Sequence, residues 1–86
     1  MSHLTSASAS DSGQAEHFRC ILAERRAELD ARLAEDAQRL AARRRAGSTC
    51  GVKSIRHRMR KLERQLNEVD RMLSGLDALA GRTVNR

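Results

Sequence analysis

The chain has 86 residues, a net charge of +6, one aromatic residue (Phe18) and no proline. So short a chain buries little surface, and the lack of aromatic residues argues against stacking-based recognition of single-stranded nucleic acid and against most β-rich folds. The abundance of Ala, Leu, Glu and Arg is typical of long helices and coiled coils, and the positive charge favours a polyanionic partner.

Residues 1–12 are rich in Ser, Ala and Thr and show no hydrophobic periodicity, which predicts a disordered N-terminal tail. A first helix is predicted over residues 13–46, with Asp11 or Ser12 as its N-cap. Its large apolar residues recur at intervals of 4 and 7, which predicts a single apolar stripe. Gly47 follows "RRRA", a pattern typical of a helix C-terminus.

Residues 47–51, "GSTCG", form the predicted turn. The second helix is predicted over residues 52–80, because its large apolar residues alternate at spacings of 3 and 4 from Val52 to Leu76. Four such heptads predict a coiled-coil helix. We expect Gly81 to end this helix and residues 82–86 to form a frayed C-terminal tail.

Two amphipathic helices joined by a short turn predict an all-α, antiparallel two-helix coiled-coil hairpin. A turn centred near Thr49 aligns the two apolar stripes. Apolar residues outside the stripes (Ile21, Met72 and Leu79) predict that the hairpin forms a homodimeric four-helix bundle or docks on a partner protein. The predicted interface residues are Phe18, Leu22, Leu29, Leu33, Leu40, Ile55, Met59, Leu62, Leu66, Val69, Leu73 and Leu76.

Three polar residues, Arg25, Arg26 and Asp36, interrupt the stripe of the first helix. The preferred interpretation is that long side chains extend from the helix interface to solvent. The alternative is that these residues fix the register or the oligomeric state at some loss of stability.

Positive charge is concentrated around the turn. Between Arg39 and Arg64 there are ten basic residues and one acidic residue, a balance of +9, against −3 for the rest of the chain. The helix dipole favours cations at the end of the first helix but disfavours them in the first turns of the second. We therefore expect the turn to bind phosphate groups, with strong salt dependence and little sequence selectivity. The predicted nucleic-acid-binding residues are Arg43, Arg44, Arg45, Lys53, Arg56, Arg60, Lys61 and Arg64.

Metal binding and catalysis are not expected. His17 with Cys20 and Cys50 with His57 are candidate metal ligands, but a hairpin separates Cys20 from the turn by about 40 Å. Only an antiparallel pairing of two hairpins could bring these residues together in a metal site or an intermolecular disulfide. We therefore expect two free thiols, no disulfide, no metal and no cofactor. Carboxylate pairs such as Glu35 with Asp36 are expected on the outer helix face as ion-pair partners of arginines, with no pocket around them.

The sequence thus predicts a non-enzymatic binding protein whose basic turn contacts nucleic acid, a ribonucleoprotein or a transcription complex. The alternative is a protein–protein interaction module, of the adaptor, regulator or toxin-neutralising type, that docks a helical or acidic partner through its apolar seam. A purely structural oligomer is a third possibility. No apolar run reaches about 18 residues, so no membrane span is expected, and the N-terminal residues lack the apolar core of a signal peptide, which makes a cytoplasmic location the expectation.

Overall fold

A computed structural model describes the backbone of residues 2–84 and the side chains of residues 13–79. The chain forms two helices, α1 (Ser2–Arg45) and α2 (Val52–Val84). The two helices pack against each other. The predicted all-α helical hairpin is therefore confirmed, while the homodimeric bundle stays a prediction.

The apolar heptads of α2 account for its packing, since residues alternately 3 and 4 apart share one helix face. Ile55, Leu66 and Val69 on this face are buried, with 3 to 9% of their surface exposed. On α1, Leu29 is fully buried and Leu22 and Leu40 nearly so. The spacing of apolar residues therefore identified the face that each helix buries.

The hydrophobic core cluster lies away from the turn and consists of Leu22, Leu29, Leu66 and Val69. Partly buried leucines complete it at positions 33, 62, 73 and 76. Two further buried residues, Leu40 and Ile55, lie nearer the turn. Two ion pairs across the helices, Arg19–Asp77 and Arg26–Asp70, are both centred on residue 48, one position from the predicted centre.

Phe18 behaves differently from the other predicted interface residues. Its side chain is 47% exposed, although its spacing from Leu22 places it near the apolar stripe. Phe18 is therefore less buried than Leu22, Leu29 and Leu40 on the same helix.

The helix bounds differ from the predicted ones at the free ends, where α1 begins at Ser2 and α2 ends at Val84. The side chains of residues 1–12 and 80–86 lie outside the described part of the structure. The predicted disorder of residues 1–12 and the predicted fraying of residues 82–86 therefore stay predictions. Within the described residues, neither helix has an apolar stretch long enough to cross a membrane.

Candidate nucleic-acid interface

Gly47 ends α1 in a left-handed conformation, with φ of 68°. The amide of Gly47 donates to the carbonyl of Arg44, and the amide of Ser48 donates to the carbonyl of Arg43. These two bonds are the Schellman pattern, which satisfies the last carbonyls of a helix. The chain therefore turns directly after the three arginines that end α1.

Gly51 immediately precedes α2 and also has a positive φ, 73°. Its carbonyl accepts the hydrogen bond from Ile55, the first such bond of α2. The guanidinium of Arg43 donates to the neighbouring carbonyl of Cys50 and lies so close that a Cβ at position 51 would be 2.9 Å from it. Arg43 thus links the end of α1 to the start of α2.

We call the eight predicted nucleic-acid-binding residues the tip cations. The structure brings all of them to the turn and the adjoining part of α2. Arg43 is partly buried by its contact with the turn, and the other seven are exposed. Among the described residues, none of the eight has a carboxylate within ion-pair distance.

The remaining described cations behave differently, because most of them are neutralised. Arg19 lies 2.5 Å from Asp77, and Arg26 lies 2.6 Å from Asp70. Hydrogen bonding to Asp70 raises the pKa of Arg26. Of the seven cations outside the tip set, those paired with carboxylates are Arg19, Arg25, Arg26, Arg39 and Arg58.

Four of the tip cations form a row on α2. Lys53, Arg56, Arg60 and Arg64 follow one another at spacings of 3, 4 and 4, so they share one helix face and span about 16 Å. All four side chains are exposed to solvent. Arg71, seven residues beyond Arg64, extends the row, is exposed and has no ion pair among the described residues. Sequence reasoning missed Arg71, although the heptad spacing could have found it.

Asp36 is the exception to the expected outer-face position of the carboxylates, and that expectation is wrong for this residue. Only 3% of its surface is exposed. It accepts hydrogen bonds from Arg39 at 3.0 Å and from Arg58 on the other helix at 3.2 Å. The hydrogen bond from Arg58, supported by the second from Arg39, lowers the pKa of the Asp36 carboxyl against the opposing effect of desolvation.

The position of Asp36 changes the charge count at the turn. The predicted balance of +9 began at Arg39, and it left out Glu35 and Asp36, which pair with Arg39. We call residues 35–64 the tip half; it holds ten basic and three acidic side chains, a balance of +7. We call residues 13–34 and 65–79 the open half; it holds five basic and seven acidic side chains, a balance of −2.

A shallow groove of about 360 Å³ runs along one side of the hairpin, where the two halves meet. Arg25 and Arg32 line it on α1, and Lys61 and Gln65 line it on α2. Arg32 has no ion pair among the described residues, so it adds a cation on this side. Sequence reasoning missed Arg32, because the groove exists only when the two helices are side by side.

The other candidate chemistry finds no support in the geometry. Cys20, within the open half, and Cys50, at the turn, are both exposed free thiols. Within the described residues, no group of three or more His, Cys, Asp or Glu side chains could hold a metal ion.

Comparison with known proteins gives no relative. The chain matches no protein-family model, and no curated protein or solved structure is significantly similar to it.

Proposed function

We propose that this protein is a nucleic-acid-binding helical hairpin that contacts the phosphate backbone through its tip cations. The observation that carries this proposal is the pairing difference. The eight tip cations have no ion pair in the described part of the chain, whereas five of the other seven described cations do.

Unpaired cations gathered in one half of the hairpin lower the stability of the fold unless an anion is bound. Like charges in one half of a small domain repel one another. Lys53 and Arg56 also lie in the first turns of α2, where the helix dipole disfavours positive charge. Phosphate groups would relieve both costs, and Gly51 leaves the first amides of α2 without a capping side chain.

The chemistry favours backbone contact over base reading. Arginine and lysine bind phosphate oxygens without regard to sequence, and the row from Lys53 to Arg64 lies on one straight helix. Neutralising phosphates releases counterions, so affinity falls as salt rises. The natural targets of such a surface are duplex DNA, structured RNA, or the RNA of a ribonucleoprotein or transcription complex.

A gel-shift or anisotropy titration tests the proposal, with duplex DNA and a structured RNA at low and moderate salt. The charge-reversed variant Arg56→Glu/Arg60→Glu/Lys61→Glu is expected to lose binding to both. A wild-type chain that binds neither nucleic acid at low salt would refute the proposal, as would a triple variant that binds as tightly as wild type.

An alternative is a protein–protein interaction module for a helical or acidic partner. The tip cations suit an acidic surface as well as a phosphate backbone. Docking through the apolar seam is harder to accommodate, because Leu29 is fully buried between α1 and α2. A nuclease-resistant complex with an acidic protein, lost in the same charge-reversed variant, would favour this alternative.

A further inference from the structure

Four large apolar side chains are exposed in the described part of the chain, and all lie in the open half. Phe18, Ile21, Met72 and Leu79 are 47, 47, 43 and 58% exposed. We call them the end patch. Scattered single apolar residues on a surface need no explanation, so the question is whether these four form one surface.

Helical spacing places them on one side of the hairpin. Phe18 and Ile21 precede the groove residue Arg25 by seven and four positions, so the three share one face of α1. Met72 follows the groove residue Gln65 by seven positions, and Leu79 follows Met72 by another seven. Since Arg25 and Gln65 line the same groove, the end patch continues that side of the hairpin towards the open end.

The other side of the open half is polar. There Arg26 is bonded to both Asp30 and Asp70, and Arg19 pairs with Asp77. The open half therefore has one face crossed by ion pairs and one face on which large apolar side chains are 43 to 58% exposed. An apolar face next to a polar one is the pattern of an interaction surface.

We infer that the end patch is the contact between two copies of this chain, joined at their open halves with their tips pointing in opposite directions. A two-fold contact places the same patch of both copies face to face. Burial of the apolar side chains then stabilises the pair. No other part of the described surface offers this, because the exposed large apolar residues are confined to the open half.

Charge selects this arrangement over the alternatives. The open half carries −2 with both signs interspersed, so two copies can approach there. The tip half carries +7, and a parallel pair would bring two such halves together against mutual repulsion. A full-length antiparallel pair would place the end patch of one copy against the exposed cations near the tip of the other, leaving apolar surface against charge.

The two native cysteines report on this geometry directly. Cys20 lies in the open half, Cys50 lies at the turn, and both are exposed. With the two-fold axis at the level of the end patch, the two Cys50 residues would be about 75 Å apart, given 1.5 Å of rise per residue. The two Cys20 residues would be separated only by the thickness of the stacked helices, roughly 20 to 30 Å.

The experiment is spin labelling of the full chain, with Cys50→Ser to label Cys20 alone and Cys20→Ser to label Cys50 alone. Pulsed dipolar spectroscopy without nucleic acid is expected to give a short distance for Cys20 and a distance near 75 Å for Cys50. A short Cys50–Cys50 distance would overturn the inference by showing a parallel pair. So would a monomer at all concentrations, including one whose end patch instead binds lipid vesicles or a helical peptide.

Two variants test whether self-association depends on the end patch. Ile21→Glu/Met72→Glu is expected to weaken self-association at least roughly tenfold, measured by sedimentation. Ala27→Glu/Ala34→Glu adds the same two charges at exposed positions of α1 away from the patch. It is the matched control and should self-associate as wild type does. Helical content by circular dichroism shows that each variant is folded. Equal self-association of all three proteins would refute the assignment.

The functional consequence rests on the proposed function. A dimer with tips at opposite ends would bind two nucleic-acid segments at once and bring them together. The patch variant should then retain binding to a single duplex but lose the capture of a second, labelled duplex on beads that carry the first. If the patch variant binds a single duplex but captures no second one, the result supports the dimer. If the wild type binds no duplex at all, the proposed function of the tip cations fails. The two failures are therefore distinguishable.

Discussion

The two halves of the hairpin differ in the fraction of their cations that form ion pairs. In the open half, three of the five arginines are paired with carboxylates, and the opposite helices are joined by ion pairs. In the tip half, only Arg39 and Arg58 of ten cations are paired, both with Asp36. The core cluster also lies mainly in the open half. The open half therefore holds most of the core cluster and of the ion pairs between the helices, whereas the tip half holds most of the unpaired cations.

The largest effect on stability is expected in the core of the open half. Leu29 has no exposed surface, so Leu29→Ala should lower the free energy of unfolding by about 3 to 4 kcal/mol. Leu40→Ala, on the tip side, is the matched comparison and should cost about 2 to 3 kcal/mol. Urea unfolding followed by circular dichroism measures both. A loss below about 1 kcal/mol for Leu29→Ala would contradict the packing described above.

A smaller effect is expected at the turn, where the two glycines differ in their surroundings. Gly51→Ala should cost about 2 kcal/mol, because alanine is strained at positive φ and its Cβ would displace the guanidinium of Arg43. Gly47→Ala should cost about 1 kcal/mol, since its Cβ would meet nothing within 4 Å. In an Arg43→Ala background the cost of Gly51→Ala should fall towards that of Gly47→Ala. Equal costs in both backgrounds would show that Arg43 does not close the turn.

The third effect depends on pH and concerns Asp36, at the boundary of the halves. Its pKa is lowered in the folded state, so the unfolded chain binds its proton more readily. The stability that Asp36 contributes is therefore present above its ordinary pKa of about 4 and is lost as pH falls through the lower folded-state value. Asp36→Asn should be less stable than wild type by about 1 to 2 kcal/mol at pH 7.

The stability difference between wild type and Asp36→Asn should shrink as pH falls below about 4, the ordinary pKa of the carboxyl group. Thermal unfolding at a series of pH values measures it. A gap between wild type and Asp36→Asn that stays constant from pH 7 to pH 2 would show that the ionised carboxylate does not act as described.

The fold was accessible from the sequence because α2 repeats one pattern without interruption. Its buried residues Ile55, Leu66 and Val69 were all predicted. The role of Asp36 was not, because a buried carboxylate is tolerated only when cations reach it, and its main partner, Arg58, is 22 positions away. For Arg25 and Arg26 the interpretation of solvent-reaching side chains is in keeping with their exposure, whereas Asp36 joins the two helices and fits the register interpretation.

The sequence predicted where the candidate site lies but not which of its cations are paired. Unbalanced charge in the sequence located the tip cations, but which cations are paired depends on distances across the helices. Arg43 also bonds to the turn, and Arg32 and Arg71 are further exposed cations. The sequence did not predict these features, because the neighbours of each side chain depend on how the two helices pack. The end patch was foreseen as three off-stripe residues, and the exposure of Phe18 completed it.

The central claim is that the unpaired cations of the tip bind phosphate groups while the paired cations of the open half do not. Two triple variants with equal loss of charge test it: Arg56→Gln/Arg60→Gln/Arg64→Gln at the tip and Arg19→Gln/Arg25→Gln/Arg26→Gln in the open half. The measurement is the dependence of duplex-DNA affinity on salt concentration. The tip variant should bind roughly 10 to 100 times more weakly, with a log–log slope smaller by about 3, and the open-half variant should keep the wild-type slope. Equal loss in both variants would contradict the claim, because binding would then follow net charge alone.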